Sequence, residues 1–294
     1  MDLIIEHRVD FDGIIGGLIV EKYLDENGKK YKTLGWNYGD DIPDVSGYDR
    51  IILTDICLPS EFMLENKDRI IWIDHHETQI DTASKDGFSD LPGIRLNGRA
   101  ACELTWEYFF KTDVPKFIQL IGAYDIWDHS SFSWDNEVLP LQYGLKTSYG
   151  MANSYIKPVF NELIDGLYAN VIYEGKIILG YLGKTWKSWC KNYAFEVKVA
   201  DKFLGICMLT PQFGSSIYQD PEFSEKYEVF VCANKGSDGK YHASLYTDRD
   251  LGDFSLGAYV KSISQTGVGG GHKKAAGVVL TEKQFIDLIT KYTI

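Results

Sequence analysis

Three short apolar runs in the first half of the chain (3–5, 50–54 and 69–73) each lead into acidic or histidine side chains. A fourth segment, near residue 125, adds an acid in a similar apolar context. The side chains contributed by these segments are His7, Asp10, Asp12, Asp55, Asp74, His75, His76 and Asp125. A single Asp after a strand is commonly only a helix cap or a turn residue. Several carboxylates that are held together, however, repel one another unless protons or cations neutralise them.

Carboxylate oxygens and imidazole nitrogens together form a ligand set for divalent metal ions. This mixed set suits Mn²⁺, and also Fe²⁺, Co²⁺ or Zn²⁺, better than Mg²⁺ or Ca²⁺, which prefer shells made only of oxygen. We therefore expect two divalent metal ions at this group of residues, with Mn²⁺ as the preferred identity.

An alternation of strands and helices must bring these distant residues together. The predicted strands are 3–5, 31–35, 50–54 and 69–73, and the predicted helices are 14–26, a short one from residue 59, 100–111 and 115–124. Continuous apolar strands separated by helices indicate a parallel sheet that is covered on both faces. Because the carboxyl ends of parallel strands share one edge, where ligands bind, the acids and histidines should converge there.

The second half of the chain has a different pattern. Residues 155–194 read as helical, and four strands follow at 195–200, 203–209, 228–233 and 241–246, with a turn signal at Asp238-Gly239. We expect an α/β fold with a parallel-sheet domain, a helical connector and a smaller α+β domain. The predicted boundaries are 1–150, 151–194 and 195–294.

A glycine-rich segment near the end of the chain could bind an anion. Its residues are Gly269, Gly270, Gly271, His272 and Lys273. Consecutive glycines allow backbone N–H groups to approach a ligand as an anion-binding nest, and the two side chains that follow add donors. The plain alternative is a flexible connecting loop.

Charge and composition exclude several classes of protein. The net charge is −12, and residues 1–150 hold 27 acids against 14 bases, which argues against binding of long duplex nucleic acid. No apolar run approaches the roughly 20 residues of a membrane span, and the acidic start of the chain is unlike a signal peptide. The 5 cysteines are scattered without a CxxC pair, which argues against a zinc ribbon or a disulfide scaffold and favours a cytoplasmic protein.

The first half of the chain contains Asp74-His75-His76, and the second half contains Gly269 to His272 followed by Ala275-Ala276-Gly277. With these motifs, the chain resembles the DHH phosphoesterase family over nearly its whole length. The resemblance implies a DHH catalytic domain, followed after the connector by a DHHA1 domain that binds substrate. It also implies an enzyme that hydrolyses phosphoester bonds with the help of metal ions.

The resemblance further implies a role for each motif residue. His7 and Asp10 would hold one Mn²⁺, and Asp55 would bridge to a second ion held by Asp12, His75 and Asp125. His76 would face the scissile phosphate, and Asp74 would orient a histidine. The implied substrate-binding residues are Arg99, Gly269, Gly270, Gly271, His272, Lys273 and Arg249. Many family members carry an arginine where this chain has Tyr246, so either Arg249 or Tyr246 could take its place.

The compact architecture resembles members that degrade very short oligoribonucleotides and dephosphorylate 3′-phosphoadenosine 5′-phosphate. A phosphodiesterase acting on cyclic or linear dinucleotides is the main alternative. A single-strand exonuclease and a non-catalytic nucleotide-binding module are further alternatives, although the latter would be expected to lack some of the ligand acids. We expect a short oligonucleotide or small nucleotide as substrate and no membrane partner, and a homodimer is left open.

Overall fold

The computed structural model describes residues 1–210 and 221–290 of the chain. The chain divides into two compact units, Met1–Leu179 and Gly180–Ile294. The division falls inside the predicted 151–194 connector, within the long helix α9 (Ala169–Tyr193). The two units are described separately below.

The first unit contains a four-stranded parallel sheet with helices on it, which confirms the predicted fold class. Its elements are β1 (Asp2–His7), α1 (Phe11–Glu26), β2 (Tyr31–Trp36), β3 (Arg50–Thr54), α2 (Ser60–Glu65), β4 (Ile70–Ile73), α3 (Glu77–Asp86), α4 (Ala101–Phe110), α5 (Lys116–Asp125), α6 (Leu139–Ser148), α7 (Asn153–Ile156), α8 (Phe160–Ile164) and the start of α9. The strand order is β2-β1-β3-β4, and each neighbouring pair is parallel.

The register of the sheet explains why the chemistry-bearing residues meet. Glu6 of β1 pairs with Thr54 of β3, and Thr54 pairs with Ile73 of β4. The residues that follow these strands therefore leave the sheet at the same edge, which we call the carboxyl edge. Gly13 lets α1 begin close to this edge, because a Cβ atom at that position would lie 2.3 Å from the His7 carbonyl oxygen.

The helices after residue 138 belong to the core of the first unit. Leu141 and Leu145 of α6, Ile156 of α7 and Phe160 and Leu163 are all buried in one cluster with α1 and α5. The segment that the sequence analysis placed at the start of a connector is therefore packed against the sheet-covering helices, because its apolar side chains complete their core.

The second unit is built on a six-stranded mixed sheet with helices, as expected for an α+β domain. Its elements are the end of α9, β5 (Phe195–Val199), β6 (Phe203–Met208), α10 (Pro221–Ser224), β7 (Val229–Lys235), β8 (Tyr241–Tyr246), α11 (Leu256–Ile263), β9 (Gly269–Gly271), β10 (Ala275–Leu280) and α12 (Glu282–Thr290). The strand order is β5-β6-β7-β8-β10-β9; among these described strands β6 and β7 pair in parallel, and the other neighbouring pairs are antiparallel.

The three consecutive glycines form a strand and not a loop, which differs from the sequence expectation. Gly269–Gly271 are the edge strand β9, paired antiparallel with β10. A Cβ atom on Gly271 would lie 2.5 Å from the Ala275 carbonyl oxygen, so close approach of two backbone segments requires glycine there.

Among residues 1–210 and 221–290, no helix has both the length and the apolar content that a membrane crossing requires.

Candidate metal centre

The structure brings the predicted ligand residues together at the carboxyl edge of the first unit. Three overlapping groups place one potential ligand atom per residue within 4.8 Å of one another. These groups are His7, Asp10 and Asp55; Asp12, His75 and Asp125; and Asp55, His75 and His76. All six residues predicted as metal ligands are included.

His7 forms one side of the centre. Its Nδ1 atom lies 2.9 Å from Asp10 Oδ2 and 3.3 Å from Asp55 Oδ2. Its Nε2 atom lies 3.1 Å from Oδ1 of Asn37, which directly follows β2 at the same edge. A hydrogen bond from Nε2–H to this amide oxygen leaves Nδ1, which faces the two acids, as the ring nitrogen that would bind a metal ion. Asn37 was missed by the sequence analysis, although its place after a strand was a usable signal.

His75 forms the other side. Its Nε2 atom lies 3.1 Å from Asp125 Oδ2, 3.3 Å from Asp55 Oδ1 and 3.6 Å from Asp12 Oδ2. The carboxylate of Asp12 also accepts backbone N–H groups of Ala101 at 2.7 Å and Cys102 at 2.8 Å. These are the first N–H groups of α4, so the positive end of that helix fixes the position of the carboxylate.

Asp55 lies between the two sides. Its Oδ2 atom approaches His7 and its Oδ1 atom approaches His75, and the residue is only 1% exposed. Within the described residues, Oδ1 has no hydrogen bond of acceptable geometry. The backbone of Asp55 has a φ of 61°, in the left-handed region that residues other than glycine rarely adopt. A buried oxygen without a hydrogen bond, on a strained residue, fits a metal ligand.

Asp74 holds His76 in a fixed orientation. Asp74 is fully buried and accepts hydrogen bonds from Trp72 Nε1 and from the backbone N–H groups of His75 and His76. Its Oδ1 atom lies 2.8 Å from His76 Nδ1. Asp74 therefore fixes the orientation of the His76 ring through Nδ1. Burial opposes the charge on this ring, but the hydrogen bond to Asp74 outweighs it and raises the pKa of His76 to about 9.

The electrostatics of the centre favour binding of cations. Burial raises the pKa of Asp12 well above its ordinary value, and the charges of Asp55 and Asp125 raise it further. Burial opposes protonation of His7 and His75, but hydrogen bonds to the neighbouring acids outweigh it and raise their pKa values to about 11 and about 12. Without metal, the centre therefore neutralises its carboxylates with protons, and divalent cations can take the place of those protons.

The predicted substrate-binding residues have the following positions. Arg99 precedes α4, with Nη1 2.6 Å from Glu107 Oε2. The Arg249 guanidinium donates to the carbonyl oxygens of Ser224 and Glu225 at 2.8 and 2.6 Å. Both arginines thus have partners inside their own unit.

The glycine segment is arranged differently from a nest. Successive N–H groups of a strand point to opposite sides, so Gly269–Gly271 do not present their donors to a single ligand. The N–H of His272 donates to the Ala275 carbonyl at 2.7 Å, while the carbonyl oxygens of His272 and Lys273 accept from the first N–H groups of α11. The His272 and Lys273 side chains are exposed, and their binding role stays a prediction.

The protein is similar to known proteins in structure and not in sequence. No protein-family model matches the sequence, and no curated protein is similar to it in sequence. The pGpG-specific phosphodiesterase PggH from Vibrio cholerae is 14% identical, with a TM-score of 0.53 over 97% of this chain and 95% of that protein. RecJ from Thermus thermophilus, in complex with Mn²⁺, is 14% identical with a TM-score of 0.53 and matches 98% of this chain but 50% of RecJ.

A third similar structure is the DHH domain of a member of the s1p family of ribosomal proteins. It is 16% identical, with a TM-score of 0.56 over 98% of this chain and 84% of that one. These likenesses cover both units, and they confirm that the chain has the fold of DHH-family phosphoesterases, as the Asp74-His75-His76 sequence indicated.

Proposed function

We propose that this protein is a hydrolase that uses two divalent metal ions, preferably Mn²⁺, to cleave phosphoester bonds of short oligonucleotides or small nucleotides. The observation that carries the proposal is the position of Asp55. Its two carboxylate oxygens each lie 3.3 Å from a different histidine nitrogen, one in each ligand group. A single buried carboxylate between two ligand groups is the arrangement expected of a residue shared by two ions.

In this proposal His7 and Asp10 hold one ion, and Asp12, His75 and Asp125 hold the other. Ions bound there would supply Lewis acidity and positive charge next to a phosphate. The chain's own contribution is to fix the ligands: Asn37 holds His7, and the first turn of α4 holds Asp12. Ligands fixed in this way need little rearrangement when charge develops on the phosphate.

His76 would act on the substrate directly. In the metal-free protein the pKa of His76 is raised to about 9, and Asp74 fixes its ring through Nδ1. Its Nε2–H can therefore donate a hydrogen bond to a phosphate oxygen or a proton to the leaving oxygen. The exposed side chains of His272 and Lys273, together with Arg99, are proposed to contact further phosphate groups of the substrate.

Hydrolysis of a linear dinucleotide is the second candidate within the same chemistry. It is favoured by the similarity to PggH, a pGpG-specific phosphodiesterase that matches this chain over nearly the full length of both proteins. Both candidates share one expectation, which is that short substrates are cleaved faster than long ones.

The test is a substrate panel. The metal-free protein, reloaded with Mn²⁺, is incubated with pGpG, another linear dinucleotide, a cyclic dinucleotide, 3′-phosphoadenosine 5′-phosphate, and RNA of 5 and 20 nucleotides. We expect turnover of the short linear substrates, and EDTA should abolish it. His76→Gln should reduce this turnover strongly. His242→Gln should retain it, because His242 is an exposed residue in the second unit. Faster cleavage of the 20-mer would favour the exonuclease, and no Mn²⁺-dependent turnover of any substrate would contradict the proposal.

A further inference from the structure

The end of α5 carries an aromatic residue where the backbone favours glycine. After Asp125 the helix closes with two hydrogen bonds, from Trp127 N–H to the Tyr124 carbonyl at 3.3 Å and from Asp128 N–H to the Ala123 carbonyl at 2.8 Å. This is the Schellman pattern of helix termination, in which the residue after the C-cap is left-handed and usually glycine. Here it is Trp127, with a φ of 59°.

The backbone alone does not account for this tryptophan. Any residue with a Cβ atom is disfavoured in the left-handed conformation, and glycine would form the same turn without that cost. A residue other than glycine in the left-handed conformation therefore points to a function for its side chain. The question is therefore what an indole at this position does that glycine would not.

The indole belongs to a group of rings that we call the aromatic platform: Trp127, His129 and Trp134. The Trp127 ring lies edge-on to Trp134, with centroids 4.7 Å apart at an angle of 64°. His129 stacks on Trp134, with centroids 3.8 Å apart at 13°, and lies 5.2 Å from Trp127. Trp134 is buried, whereas Trp127 is partly exposed and His129 is exposed. The platform is thus anchored in the core and reaches the surface.

The platform adjoins the candidate metal centre. Trp127 follows Asp125 by two residues, and two residues span at most about 7 Å. Asp125 Oδ2 in turn lies 3.1 Å from His75 Nε2. The Trp127 backbone therefore lies close enough to the centre for an indole to reach the nucleoside attached to a phosphate bound there. Aromatic side chains bind nucleobases by stacking, with little dependence on the base.

We propose that Trp127 binds the nucleobase next to the scissile phosphate by stacking. The inference rests on the proposed function, because the phosphate must lie at the metal centre, and it extends that function by making the substrate one with a base. The competing explanation is that Trp127 only fills space against the core, in which case another large apolar residue would serve equally well.

Two variants separate these explanations. Trp127→Phe keeps an aromatic face, and Trp127→Leu keeps a large apolar side chain without one. Both impose the same left-handed backbone cost as tryptophan, so a difference between them reports the aromatic face. Equilibrium binding of adenosine monophosphate, guanosine monophosphate and ribose 5-phosphate is measured for each in the presence of Mn²⁺. Ribose 5-phosphate serves as the matched ligand without a base.

We expect wild type to bind both nucleotides more tightly than ribose 5-phosphate, by roughly 10- to 100-fold, the scale of one stacked base. Trp127→Phe should keep most of this preference, and Trp127→Leu should lose it while binding ribose 5-phosphate as wild type does. Equal preferences in the two variants, or no preference in wild type, would overturn the inference. Because the assay needs no turnover, failure of the proposed hydrolysis would show separately in the substrate panel.

Discussion

Glu6 gives the most quantitative prediction, because its carboxyl group is buried at the carboxyl edge next to His7. The residue is 3% exposed and accepts a hydrogen bond from Asn153 Nδ2 at 2.9 Å. Gly17 of α1 makes room for it, since a Cβ atom there would lie 1.8 Å from Glu6 Oε2. Burial raises the pKa of Glu6 to about 8, with the Asn153 hydrogen bond opposing the shift and the charge of Glu21 adding to it.

The raised pKa makes folding stability depend on pH. Below pH 4.5, the ordinary value, both the folded and the unfolded chain hold this proton. As the pH rises toward 8, only the folded chain retains it, so stability falls. At 1.36 kcal/mol for each pKa unit, the loss reaches about 4 kcal/mol by pH 8, where the folded carboxyl group is itself half ionised. Glutamine keeps the shape and a carbonyl acceptor but cannot ionise. Glu6→Gln should therefore be more stable than wild type by an amount that grows with pH. This pH-dependent part of the difference in unfolding free energy is less than about 1 kcal/mol at pH 5 and about 3–5 kcal/mol at pH 8; the substitution can add a further difference that is the same at both pH values.

Urea unfolding of the metal-free protein at pH 5 and pH 8 measures this difference. Glu65→Gln is the matched control, because Glu65 is exposed at the end of α2, and it should not change the pH dependence. If the stability difference between Glu6→Gln and wild type is the same at both pH values, the carboxyl group is not protonated in the folded protein and the reasoning is wrong.

Three further predictions concern the candidate site. Without metal, His7 and His75 have pKa values of about 11 and about 12, so loading the protein with Mn²⁺ at pH 7 should release about two or more protons. Calorimetry in buffers of different ionisation enthalpy measures this release, and no release would contradict the ligand assignment. Asn37→Ala should weaken Mn²⁺ binding by roughly 10- to 100-fold, because it frees the His7 ring to turn, and an unchanged titration curve would show that Asn37 does not position His7. His272→Ala should lower turnover of nucleotides by more than about tenfold with Mn²⁺ content unchanged, since a hydrogen bond to a charged phosphate contributes about 1.5–3 kcal/mol; a parallel loss of metal would place His272 in the metal site.

The sequence predicted the sheet well because its strands are continuous apolar runs with few alternatives. The strand predicted at 50–54 is β3 to the residue, and the convergence of Asp55 with His7 and His75 follows directly from parallel pairing. For Asp10, a role as a helix cap and a role as a metal ligand are compatible. Asp10 is the N-cap of α1, accepting the Gly13 N–H at 3.0 Å, while it also lies 2.9 Å from His7.

Other features depend on tertiary packing that no local pattern reveals. The carboxylate of Asp12 binds the N-terminus of α4, which lies 89 residues further along the chain. Glycine runs are common in loops, so the sequence of Gly269–Gly271 predicts a loop, whereas pairing with β10 makes these residues a strand. The left-handed conformation of Trp127 was likewise hidden, because tryptophan is a poor sequence signal for a turn that favours glycine.

The most direct test of the account is the metal content of Asp55→Asn, measured by elemental analysis after dialysis against Mn²⁺ and compared with Asp68→Asn, an exposed acid outside the centre. We predict two Mn²⁺ ions per chain in wild type and in Asp68→Asn, and fewer in Asp55→Asn, with hydrolysis abolished and the circular dichroism spectrum unchanged. Two bound ions together with wild-type turnover in Asp55→Asn would contradict the claim that this carboxylate joins two metal sites.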